Sequence, residues 1–290
     1  DHNPYVYELL DQNADHVHWD TAEAWNETKR GMSASTDEAG GGHAHSGMMI
    51  YLGDNWPDVY RGRMFTVNLH GLRLNQDRLE RQGATYTGLH EADFLSTTDP
   101  WFRAIELIYG PDGGVYIADW SDVGECHEND GVHRTSGRIY KVRYGSPDDL
   151  PKALRRTAGP DGLAGQPNAQ LVRLQLHAND WYVRQARQIL QQRAAQQRPM
   201  QAVHRQLLQI YHENPDVTRR LRAMWALHVT GGTSTGWLLE QLNDQEEHVR
   251  CWSVRLLVED PKVPGQVISA LAKRAGKDDS GLVLCYLASA

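Results

Sequence analysis

Cysteine is scarce in this 290-residue chain: Cys126, Cys251 and Cys285 are all there is, too few and too scattered for a disulfide framework. Cys126-His127 lacks the second cysteine of a C-x-x-C-H haem attachment motif, so no haem site is expected here. No apolar run approaches the roughly 18–20 residues of a membrane-spanning helix, and the first residues lack the charged-then-apolar pattern of a secretory signal. The polar, extended opening at Asp1 reads as the start of a processed or truncated product. Also missing are the G-x-S-x-G elbow, the phosphate-binding loop, H-E-x-x-H and the dinucleotide fingerprint. Gly40-Gly41-Gly42 precedes a strand rather than a helix and so lacks the geometry that cradles pyrophosphate. Cations are few in the first half: through Gly145 there are 12 Lys+Arg against 23 Asp+Glu, and beyond it 18 against 14. Phosphate binding needs clustered cations, so nucleic acid is not an expected partner, and the small, dispersed excess of the second half does not change that.

What is present changes character along the chain. Residues Asp99 to Tyr144 alternate strand-like runs (104–109, 114–119 and 137–144) with dense turn chemistry, which predicts an antiparallel meander. Pro111-Asp112-Gly113-Gly114 supplies proline at the second turn position and glycine where positive φ is needed. Val115, Ile117 and Trp120 are expected in the buried layer, with Tyr116 and Ala118 facing away. The acid-rich loop from Ser121 to Ser136 reads as functional, because long polar loops inside compact domains seldom serve only as connections. Upstream, His43 and His45 alternate at strand spacing, and Met48–Leu52, Met64–Leu69, Arg73–Leu79 and Ala84–Thr87 read as further strands.

Ser146 to Asn168, rich in proline, glycine and serine, reads as a linker, after which the apolar spacing becomes helical: Val183, Ala186, Ile189 and Leu190 lie three or four apart. A pattern then recurs at Arg184, Arg222, Arg250 and Leu284, at intervals of 38, 28 and 34, and resembles HEAT-type helical hairpins. In such repeats a turn aspartate and an arginine early in the second helix pair with neighbouring repeats. The expected organisation is therefore a β-rich part over 1–145, a linker over 146–170 and helical repeats over 171–290, with the array continuing past the last residue.

Short motifs in the first part add a resemblance. Trp101-Phe102-Arg103, Gly110-Pro111-Asp112-Gly113, Val115 to Asp119 and Gly137 to Val142 follow one another in the order of the closing blade of the glucose/sorbosone dehydrogenase β-propeller family. His45-Ser46-Gly47, Tyr51 to Asp54, Trp56-Pro57, Tyr60-Arg61-Gly62 and Phe65 to Gly71 resemble the preceding blade. The variant it is most similar to is the large planctomycete type described as a membrane-bound dehydrogenase with helical repeats. The resemblance implies a multidomain β plus α chain, a partial β-propeller of last blades followed by HEAT-like α-helical repeats, with upstream blades lying outside this chain.

The same resemblance implies a fragment of a quinone-dependent sugar or alcohol dehydrogenase, periplasmic or at the cell surface. Its cofactor would be pyrroloquinoline quinone, with calcium as an accompanying ion, and it would pass electrons to a cytochrome c-type domain or protein. Under it His45 is the catalytic base, and His43, His70, Arg73, Trp101 and Arg103 are cofactor-binding, since guanidinium groups clamp carboxylates and tryptophan stacks on rings. Asp119, Asp122 and Glu125 are the candidate metal ligands. Each has a plainer reading: polar strand residues for the histidines, surface ion pairs for the arginines, core filling for Trp101 and a solvated loop for the acids. Without the early blades this chain alone is expected to be inactive. The alternative function is a non-catalytic module that binds carbohydrate or protein.

Overall fold

A computed structural model describes residues 45–69, 71–99, 101–121, 135–146 and 162–290. These fall into two compact units, 45–80 with 87–146, and 81–86 with 162–290.

Among the described residues eight strands build the sheets: β1 (His45–Ile50), β2 (Met64–Asn68), β3 (Arg73–Gln82), β4 (Thr85–His90), β5 (Leu95–Ser96), β6 (Ala104–Tyr109), β7 (Val115–Asp119) and β8 (Arg138–Val142). β1 to β4 form an antiparallel path on which β5 also pairs with β3, and β6, β7 and β8 form a separate three-stranded sheet. The meander and its turn stand as expected: Gly113 has φ +73°, and Gly110 N–H donates to Gly114 O at 2.8 Å.

The propeller expectation is corrected here. Among the described residues the two sheets are open and do not close into a ring: β3 carries both β4 and β5, and β8 ends its own path. What the chain has is a mixed architecture of open β-sheets and α-helices. Alternation and turn residues specify strands locally, whereas closure depends on how edges are paired far along the chain.

The two sheets meet where their strands are both irregular. β1 bulges between Ser46 and Met48, and β6 between Ala104 and Glu106. Gly47 has φ +52°, and a Cβ there would lie 2.8 Å from Glu106 Cα and 2.9 Å from Ile105 O, so only glycine fits. On the apolar side, Trp56 stacks between Tyr51 and Phe94, at centroid distances of 4.6 and 4.5 Å. The buried Tyr51 hydroxyl donates to Gly113 O (2.8 Å) and accepts from the N–H groups of Asn55 (3.0 Å) and Trp56 (2.8 Å). One phenol thus satisfies three backbone groups that burial would otherwise leave unpaired.

Over the described residues 162–290 eight α-helices follow: α1 (Asn168–Arg173), α2 (Asp180–Ala195), α3 (Gln201–Glu213), α4 (Val217–Val229), α5 (Thr235–Gln241), α6 (Glu247–Leu257), α7 (Gly265–Ala275) and α8 (Gly281–Ala288). Consecutive helices pair as hairpins, and the second helices α2, α4, α6 and α8 pack in sequence. Leu190, Leu207, Met224, Leu227 and Val249 are fully buried between them, at the spacing of an apolar stripe that no single hairpin could cover alone. The change from strand to helix falls between Val142 and Asn168.

Each hairpin turn is closed in the same way. A side-chain acceptor takes the N–H two residues on: His177 from Asn179, Asn214 from Asp216, Asp244 from Glu246 and Asp278 from Ser280, at 2.9–3.0 Å. Asn179, Asp216 and Ser280 then cap α2, α4 and α8 by accepting from first-turn N–H groups. Ion pairs join neighbouring hairpins: Arg222 with Asp180 at 3.0 Å, Arg220 with Asp244 at 2.5 Å and Arg250 with Asp278 at 2.9 Å. Arg184 instead pairs with Asp180 within its own helix, at 3.3 Å.

Candidate functional site

Of the residues singled out in the first part, those that are described occupy two polar clusters. His45, at the exposed start of β1, is in register with Asn68, which pairs in turn with Arg73. His45 Nε2 lies 3.4 Å from Asn75 Nδ2, and Asn75 Oδ1 accepts from Asn68 Nδ2 at 3.3 Å. Arg73, nearly fully buried, donates to Asp93 at 2.7 Å. The second cluster centres on Asp119, whose Oδ1 accepts from the N–H groups of Arg103 and Ser121 (both 2.8 Å) and whose Oδ2 accepts from Arg138 Nε (2.8 Å). Arg103 Nη1 donates to Phe102 O at 3.0 Å, and Trp101 N–H donates to Asp99 at 2.9 Å. Ser46 Oγ reaches Ala104 O at 3.4 Å, so the backbones just after His45 and Arg103 are neighbours. His43, His70, Asp122 and Glu125 lie outside the described residues, as does Ser121–Ser136 apart from its ends. Trp120 is 56% exposed rather than buried. Period two carries Asp119, not Trp120, into the layer of Val115 and Ile117.

The first cluster holds a charged histidine that the sequence did not single out. His90 stands between Asp77 (3.3 Å) and Asp93 (3.5 Å), with Arg73 on the far side of Asp93. Its hydrogen bonds to Asp77 and then Asp93 outweigh burial and raise its pKa to about 9. A raised folded-state value stabilises the fold fully below the unfolded value near 6.5, and the contribution is lost as pH rises through about 9. The urea midpoint is therefore expected to fall between these limits, and His90→Gln should flatten that slope. A wild-type midpoint that is level across the interval would show the imidazole to be neutral.

No metal cluster is placed by the described residues: no group of three or more His, Cys, Asp or Glu side chains among them could hold an ion. No helix among them is long and apolar enough to cross a membrane.

Among the described residues the helical unit carries two neighbouring hollows. A groove of about 670 Å³ runs across α2, α4 and α6, lined among others by Arg187, Trp225, His228, Trp252, Arg255 and Glu259. A second hollow of about 300 Å³ shares Arg255 and Val258 and reaches Cys285 and Tyr286 on α8. The indoles of Trp225 and Trp252 meet edge to face at 4.8 Å. Arg187 lies over Trp225 at 5.3 Å and Arg255 over Trp252 at 5.1 Å, giving a cation–aromatic–aromatic–cation row. His228 Nε2 is 2.5 Å from Glu259. Burial pulls the Arg187 guanidinium below its ordinary pKa, with Asp180 opposing and Arg184 and Arg222 adding to the fall. Arg187 Nη1 and Trp225 Nε1 are shielded from solvent and have no acceptor among the described residues.

Sequence reasoning passed over this row. Trp225-x-x-His228 and Trp252-x-x-Arg255 nevertheless carry the same aromatic and basic spacing in successive second helices. That spacing puts ring and cation on one helix face.

Residues 5–146 match the family model described as a domain of unknown function (DUF7133). No curated protein and no solved structure matches the chain. This match and the open sheets overturn the expected place among glucose/sorbosone dehydrogenases and remove the grounds for the terms that place carried: propeller, pyrroloquinoline quinone and oxidoreductase. Short motifs such as Gly-Pro-Asp-Gly and Val-Tyr-Ile-Ala-Asp encode a turn and a strand, which any antiparallel meander can use without sharing a family's chemistry.

Proposed function

We propose that the chain is a binding module whose helical unit takes an extended segment of a partner protein in the tryptophan–arginine groove. The observation that carries this reading is the row Arg187, Trp225, Trp252 and Arg255, which crosses three successive hairpins. Tryptophan and arginine dominate binding hot spots, because each couples large apolar area with a directed donor. The groove volume lies in the range of small-ligand sites, but its continuation toward α8 favours a longer occupant. With helix axes about 8–10 Å apart, crossing four helices spans roughly 24–30 Å, which an extended chain covers in about seven to nine residues.

Panning a displayed library of random linear peptides over the full chain tests this. Enriched peptides should bind the wild type, and Trp252→Ala should weaken them by about thirtyfold, the loss of one hot-spot side chain. Trp252→Phe, which keeps an aromatic face, should retain part of the affinity, and a substitution at the exposed Ile268, outside the groove, should have no effect. Peptides that bind wild type and Trp252→Ala equally, or no enrichment at all, would remove the groove from the account.

A further inference from the structure

The groove has an unbalanced charge, and this narrows what can occupy it. Among the described residues Arg187 has Arg184 and Arg222 as cationic neighbours and Asp180 as an opposing acid. That acid is already engaged: Asp180 pairs with Arg222 at 3.0 Å and with Arg184 at 3.3 Å. Glu259 is the one carboxylate among the lining residues, and it is taken by His228 at 2.5 Å. The Arg187 guanidinium is left over the Trp225 ring, with Nη1 and the neighbouring indole Nε1 both dry and both without an acceptor among the described residues. Buried donors in native proteins are almost always paired, with protein, water or ligand.

We infer that the groove selects a carboxylate-bearing segment, an aspartate- or glutamate-containing extended stretch of a partner protein, whose acid oxygens pair with the Arg187 guanidinium as it turns from the Trp225 ring toward the groove. This rests on the groove being a protein-binding site. A carboxylate suits this guanidinium because guanidinium-to-carboxylate bonds are short, charge-assisted and forked. The apolar remainder of the lining, Val229, Leu256 and Val258, takes the uncharged side chains that alternate with the acids along an extended strand. Arg255, exposed over Trp252, offers a second cation further along the row.

The probe is a fluorescein-labelled peptide of Glu-Leu-Gly repeats, compared with Gln-Leu-Gly and Lys-Leu-Gly counterparts by fluorescence polarisation on the full chain. The glutamate peptide should bind at least about tenfold more tightly than the glutamine peptide, with the preference shrinking as salt rises, and the lysine peptide should not bind. Arg187→Met keeps an unbranched apolar stem against Trp225 while deleting the unpaired donor. It should abolish the preference for glutamate and leave the melting temperature unchanged or higher, a combination that a purely structural arginine would not give. Arg187→Lys, charged but without the fork, should lose most of the preference. Equal affinity for the glutamate and glutamine peptides, with both weakened by Trp252→Ala, overturns carboxylate selection and leaves the protein-binding groove standing. Failure of all three to bind while library-selected peptides do has the same meaning. If library peptides also ignore Trp252, both readings fall. A large fall in melting temperature for Arg187→Met would show that the donor is satisfied within the fold, and would overturn the inference.

Discussion

Arg250→Met is expected to lower the stability of the chain by about 3–5 kcal/mol, the cost of removing one partner from a buried ion pair. The Asp278 side chain is fully buried and that of Arg250 is 7% exposed. Arg250 Nε and Nη2 reach the two oxygens of Asp278, each at 2.9 Å, while Nη1 donates to the carbonyls of Asp244 and Gln245 at 3.0 Å. One guanidinium therefore ties α6 to its own turn and to that of the next hairpin. Arg274, 2.5 Å from Asp278 Oδ2, remains in the variant and keeps the loss toward the lower end. Burial pushes the Asp278 carboxyl up, but Arg250, Arg274 and the Ser280 N–H more than reverse this and hold it at about 2. A depressed value means the contribution is complete above the unfolded pKa near 3.9 and disappears as pH falls through about 2. Urea titrations between neutral pH and pH 3 should show wild type losing more stability than Arg250→Met over that interval. Equal midpoints for the two proteins at neutral pH would mean the pair contributes nothing.

A comparable loss, about 3–5 kcal/mol, is expected for Asp119→Ala in the β unit, because the change leaves two backbone N–H groups and a partly buried guanidinium without their acceptor. The carboxylate receives the N–H groups of Arg103 and Ser121 and the Nε of Arg138. Arg138 Nη1 continues to Asp99 at 2.6 Å, so one aspartate joins the ends of β7 and β8 to the segment before β6. It also holds Ser121 at φ +61°, a conformation that costs a non-glycine residue energy unless its neighbours enforce it. Asp119→Asn keeps an oxygen for the two N–H groups and loses the ion pair, so it should cost roughly half as much. Thermal melts with and without calcium complete the test. A calcium-dependent rise present in wild type and absent in Asp119→Ala would assign the carboxylate to an ion rather than to this network.

Much of the local structure could be read from residues near in sequence. Gly110 to Gly114 gives the β6–β7 turn, Val115 and Ile117 give the buried side of β7, and the change of period after Tyr144 gives the change from strand to helix. The pairing of turn aspartates with arginines of neighbouring hairpins was also legible, although Arg184 turned out to pair with Asp180 within its own helix. What failed was non-local. Sheet arrangement is decided by edges that no single motif describes, and where the ordered motifs led us to expect the last blades of a propeller the described strands form two open sheets. The groove was missed for a different reason. Half-buried tryptophans at 225 and 252 sit one helical step from the core stripe, so their spacing is the same whether they fill the interior or line a surface. Arg103 and Asp119 looked like ligand-binding groups because charged residues at strand ends often are. In the fold Asp119 accepts from the backbone N–H of Arg103, and Arg103 Nη1 donates to Phe102 O.

Helix α4 carries two of the inter-hairpin ion pairs from positions only two residues apart, Arg220 reaching forward to Asp244 and Arg222 back to Asp180. Two residues correspond to about 200° of helical rotation, so the restraints act on nearly opposite sides of one cylinder. Rolling α4 in either direction stretches one tether or the other. Trp225 is less than one turn beyond Arg222, and its azimuth is locked by the same bracing. A segment entering the groove meets a ring whose orientation was fixed during folding, and the entropy of aligning it is not charged against association.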